Sequence, residues 1–133
     1  MAEAGLLVAV DLGGTKVFAA LADPEANLLA RHWELTEQSN EGLAAQLKRV
    51  VHAVIEQGGA KRESVRGIGV GSPGPLDPDT GVIFDTPNIA VRDFPLKGVL
   101  EEEFRLPVRV NNDVNVGTLG EAWKGAGAGC HSV

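Results

Sequence analysis

The chain has 133 residues, enough for one ordinary domain and too few for two. Apolar residues make up 44%, charged residues 23%, and the formal net charge is -6. That balance excludes intrinsic disorder and argues against a nucleic-acid partner. The longest apolar runs, such as Leu6 to Val10, are too short to span a bilayer, so no membrane partner is expected. No basic region precedes a long apolar stretch as a secretory signal requires. The single Cys130 cannot close an internal disulfide, which fits a cytoplasmic setting. Glycine is in excess, 17 residues or about 13% against a usual ~7%.

The glycines fall at the ends of apolar segments. Leu6 to Leu12 reads as a buried strand stopped by Gly13-Gly14. Lys16 to Ala22 resumes it, and Asp23-Pro24 breaks it. Asn27 to Glu34 is a third strand, and the three predict a meander with tight turns. Ser39 offers an N-cap to a helix carrying Leu43, Leu47, Val50, Val51, Val54 and Ile55, ended by Gly58-Gly59. Val65 to Val70 is another strand, stopped by Ser72-Pro73-Gly74-Pro75. Residues 75–95 are rich in proline and poor in periodic apolar positions, so they read as mostly loop, with a short strand at Val82 to Phe84. Pro95 suits the first residue of a helix running to about Phe104. Val108 to Val110 is a strand, Val114 to Trp123 a helix, and the glycine-rich tail 125–129 a loop. The order β-β-β-α-β-α-β-α predicts an α/β fold with a mixed sheet covered by helices.

Three polar clusters sit at strand ends. The first is Asp11-Leu12-Gly13-Gly14-Thr15-Lys16. Two glycines let the backbone approach a ligand and turn N–H groups toward an anion. A carboxylate before them can hold a Mg2+ that itself holds phosphate oxygens. Thr15 and Lys16 add a hydroxyl and a cation. The same residues also suit a plain hairpin turn, and alone they leave both readings open. The second, Gly69-Val70-Gly71-Ser72-Pro73-Gly74, spells a dinucleotide fingerprint, but Pro73, Pro75 and Pro78 exclude the helix that the fingerprint must open. It reads instead as a strand-end loop that touches a small polar ligand. The third is Asn111-Asn112-Asp113-Val114-Asn115. A helix N-cap accounts for one of its polar residues, not all four. With a hydroxylated ligand, Asn112 is a hydroxyl partner and Asp113 a proton acceptor. Asn88, in Thr86-Pro87-Asn88, either meets the same ligand or turns the chain. His32, His52 and His131 show no metal-ligand spacing.

Taken together, these motifs resemble the ROK family of sugar kinases, whose best-known activity is glucokinase, from Val8 to about Gly129. Gly120-Glu121-Ala122-Trp123 matches a further family stretch. The resemblance implies an actin-like, ribonuclease-H-like ATPase architecture in which two α/β domains close over a cleft. Residues 1–133 correspond to the first domain, and the second is absent. It implies transfer of the ATP γ-phosphoryl group to a hexose hydroxyl. Asp113 is then the catalytic base, Asn112, Asn88, Gly71 and Ser72 hold the sugar, and Asp11 acts near Mg2+. Gly13, Gly14, Thr15 and Lys16 contact phosphate. The family's second half carries an adenosine-binding glycine motif, sugar-contacting His and Glu residues, and a Cys-rich zinc site, so zinc is expected only there and not at Cys130. Asn88-Ile89-Ala90-Val91-Arg92 departs from the family's usual sugar loop and leaves the choice of hexose open.

The expected partners are a hexose, the missing second domain and, because an interdomain face would be exposed, further copies of the chain. Alone, the fragment is expected to turn over little. The alternative is a sugar-sensing regulator of the same family. Regulators carry a helix-turn-helix domain before the kinase-like part, and only a few residues precede the first strand here. The retained Asp113 also favours the kinase.

Overall fold

The computed structural model describes residues 5–25, 27–72, 76–77, 82–86 and 89–112. Strands β1 (Leu6–Leu12) and β2 (Lys16–Ala22) form an antiparallel hairpin with the predicted bounds. β3 (Leu28–Leu35) pairs antiparallel with β2. Asp23 shapes the turn before β3, its Oδ1 accepting from the Glu25 and Asn27 N–H groups. Helix α1 (Asn40–Gln57) starts where Ser39 Oγ accepts from the Gly42 N–H at 3.0 Å. It ends at Gly58, which is still helical, and Gly59 takes the left-handed φ of 68°.

A 3₁₀ turn at Arg62–Ser64 leads into β4 (Val65–Ser72), two residues longer than predicted. Gly71 and Ser72 therefore lie inside the strand rather than in a loop. Next come β5 (Leu76–Asp77), β6 (Val82–Thr86) and β7 (Ile89–Pro95), then helix α2 (Leu96–Phe104) and β8 (Val108–Asn112). The expectation of mostly loop over 75–95 is corrected: three short antiparallel strands form a second sheet, β5-β6-β7. The prolines that hid this pattern fall outside the strand bounds, apart from Pro95, which ends β7. Ile83, Val91 and Phe94 from this sheet are buried in the main core. Pro95 closes β7 and stands as the N-cap of α2, one position before the predicted place.

The main sheet is mixed, with order β3-β2-β1-β4-β8 and with β1, β4 and β8 parallel. Period-two alternation splits its residues between two faces. One face packs Val8, Val10 and Leu12 with Val17, Ala19 and Leu21, Ile68 and Val70, and Val108 and Val110 against α1 and α2. On the other face Ala9 pairs with the small residues Ala20 and Gly69, and Leu7 with Ala22 and Gly67. The predicted helix from Val114 to Trp123 and the tail after it lie outside the described residues. Among the described residues no helix is long and apolar enough to cross a membrane.

Candidate functional site at the ends of the parallel strands

Sheet register brings the polar clusters together. Asp11 stands opposite Gly71 across β1 and β4, and Gly71 opposite Asn111 across β4 and β8. Ser72 and Asn112 form the next pair outward. These are the C-terminal ends of three neighbouring parallel strands, where open α/β sheets bind ligands. Asp11 is exposed between buried Val10 and Leu12, so it projects from the face opposite the helices. The row continues the other way through Phe18 to Trp33. Asn112 closes β8 immediately before position 113. Asn88 and Asp113 lie outside the described residues.

Beside this row is the turn of Gly13, Gly14 and Thr15. The Gly13 N–H donates to Lys16 O at 2.9 Å. A Cβ on Gly13 would come within 3.0 Å of that same oxygen, so the close hairpin calls for glycine. The Thr36 N–H donates to Thr15 O and its hydroxyl to Gly13 O, each at 2.8 Å. Gln38 Nε2 donates to Gly14 O at 3.3 Å. No described residue accepts from the N–H of Gly14 or Thr15. Lys16 Nζ sits 4.8 Å from the ring centroid of exposed Trp33.

Behind the turn, β3 is tied to α1 by charge. Arg49 Nη2 donates to Glu34 Oε1 at 2.6 Å. Arg49 is the main reason the Glu34 carboxyl is held at about 2, with His32 and Gln46 also lowering it and burial opposing them. Gln46, 1% exposed, donates to Leu35 O at 2.7 Å and Glu34 Oε1 at 3.1 Å and accepts from the Glu37 N–H at 2.9 Å. Sequence reasoning missed Thr36, Gln38 and Gln46. One signal was available: Gln46 is a polar residue beside Leu43 and Leu47 on the apolar stripe of α1. The partners of Thr36 and Gln38 are 23 and 24 residues away, beyond any local pattern.

Among the described residues no three His, Cys, Asp or Glu side chains gather as a metal cage. Mg2+ needs none, because it binds through one or two carboxylates, phosphate oxygens and water. The exposed Asp11 carboxylate beside a glycine turn fits that donor set.

The chain is 41% identical over 129 residues to a glucokinase of Halalkalibacterium halodurans, covering 95% of this chain and 39% of that protein. A xylose repressor of Bacillus subtilis is 30% identical over 125 residues, covering 93% of this chain and 32% of that protein. The solved ROK family glucokinase from Streptomyces griseus, in complex with glucose and AMPPNP, superposes with a TM-score of 0.75 at 35% identity, over 94% of this chain and 38% of that one. The chain thus spans about two-fifths of the length of its glucokinase relatives. Residues 7–133 match the ROK family, and the chain belongs to that family.

Proposed function

We propose that the chain is the N-terminal part of an ATP-dependent hexose kinase of glucokinase type, with an actin-like ATPase fold. The observation that carries this reading is the shared register row of Asp11, Gly71 and Asn111 beside the Gly13–Lys16 turn. A single sheet edge then offers a carboxylate, bare backbone and the strand end that leads into Asp113.

In this reading Asn112, Asn88, Gly71 and Ser72 hold the sugar. Asp113 takes the proton of the attacking hydroxyl as its oxygen bonds to the γ-phosphorus and the bond to ADP breaks. General-base assistance of this kind contributes roughly 10²–10⁴ in rate. Gly13, Gly14, Thr15 and Lys16 hold phosphate oxygens, and Asp11 holds Mg2+. The bound Mg2+ would neutralise charge developing on the phosphates. The site needs a second wall to exclude water, so the chain by itself turns over little.

The test is phosphorylation of glucose, mannose, fructose and N-acetylhexosamines by the full-length protein, with Asp113→Asn beside it. Transfer to at least one sugar, lost in the variant, is expected. No transfer, or an active variant, sinks the reading. The similarity to xylose repressors supports a second reading, a sugar-responsive regulator. Such a protein would bind a sugar in the same assay and leave ATP intact.

A further inference from the structure

Three successive carbonyls of the turn accept hydrogen bonds from one segment, the β3–α1 connection. Thr36 takes Gly13 O and Thr15 O, and Gln38 takes Gly14 O. In a planar trans peptide the C=O of one residue and the N–H of the next point in opposite directions. Holding the carbonyls of Gly13, Gly14 and Thr15 toward the connection therefore aims the N–H groups of Gly14, Thr15 and Lys16 away from it. Those of Gly14 and Thr15 meet no acceptor among the described residues. Such a set of aligned donors suits an anion.

The clamp is itself held. Thr36 is 8% exposed, so water competes little for its bonds. Gln46 grips the backbone on either side of it, at Leu35 O and at the Glu37 N–H. The donor geometry of the turn is thus referred, through Thr36, to the rigid body of α1.

We propose that Thr36, anchored by Gln46, is a positioning residue that orients the turn's N–H groups toward the phosphates. This rests on the phosphoryl-transfer reading above. Thr36 touches no substrate in this scheme and acts only through the turn.

The experiment uses the full-length protein with Thr36→Val, which keeps the shape and removes the hydroxyl donor, Thr36→Ser, which restores the donor, and Gln46→Met. Kinetic constants for MgATP and for sugar are measured separately, with magnesium tripolyphosphate binding by calorimetry and hydrogen exchange over 13–16. Thr36→Val is expected to raise KM for MgATP and to weaken tripolyphosphate binding by roughly tenfold, with the sugar KM held within about twofold. It should also speed exchange of the turn amides. Thr36→Ser should recover most of each loss, and Gln46→Met should shift the same constants in the same direction. If the wild type phosphorylates sugar and Thr36→Val leaves MgATP and tripolyphosphate constants unchanged, positioning is wrong and the kinase reading stands. If the wild type phosphorylates nothing yet binds tripolyphosphate, and Thr36→Val weakens that binding, positioning stands and the kinase reading is wrong. Absence of tripolyphosphate binding by the wild type, or equal loss in the Val and Ser variants, overturns the proposal.

Discussion

Asp11 faces Gly71 at the last register position that β1 and β4 share. The glycine, itself buried, puts no side chain of its own beside the carboxylate. An exposed carboxylate at the C-terminal end of a buried parallel strand stands where open α/β sheets bind ligands.

Asp11→Asn keeps the shape of that side chain and removes its charge. In the full-length protein phosphoryl transfer should fall about 10²-fold, a loss typical of removing one electrostatic partner of the reacting group. Steady-state kinetics checks this, and thermal melting should move little because Asp11 is exposed. An unchanged kcat would remove Asp11 from the phosphate site.

Gly58 offers a test of packing. Its φ of -79° suits any residue, but a Cβ there would come within 2.5 Å of Leu21 Cδ2. Leu21 is fully buried, so any shift of its side chain must be taken up inside the core. Gly58→Ala should destabilise by about 1–2 kcal/mol, since overpacking outweighs the entropy gained by losing glycine. Urea denaturation reads the change, and a more stable variant would mean that Leu21 repacks freely.

The ion pair between Glu34 and Arg49 predicts a pH dependence. Arg49 holds Glu34 at about 2 against an ordinary 4.5, and His52 lowers Glu103 across α1 and α2. Both carboxyls are depressed in the fold. The Glu34 contribution is therefore complete above about pH 5 and is lost as pH falls through 4.5 toward about 2. Arg49 is half exposed, so screening holds the Glu34 share to about 1 kcal/mol. Thermal melts from pH 6 to pH 3 should fall less steeply in Glu34→Gln than in the wild type. Parallel curves would show that the pair contributes nothing.

Much of this molecule is written in local pattern. The bounds of β1 and β2, the cap at Ser39, the apolar stripe of α1 and the end of α2 at Phe104 all follow from spacing and turn chemistry within a few residues. Gly13, Gly14, Gly58 and Gly59 were also legible as turn and helix-end glycines. Of the strands between Leu76 and Pro95 only the one starting at Val82 was legible; β5 and β7 were not, because prolines break a period of two before it can be read.

The sequence by itself determined which residues are candidates for chemistry: Asp11, the Gly13–Lys16 turn, Gly71 and Ser72, and the asparagines that end β8. Only the tertiary structure decided that Asp11, Gly71 and Asn111 share one row, and that Thr36 closes on the turn from 23 residues away. The physical reason is range. Periodicity and capping act between neighbours along the chain, whereas register and side-chain clamps arise when distant segments bury a common core and their hydrogen-bonding groups must find partners there.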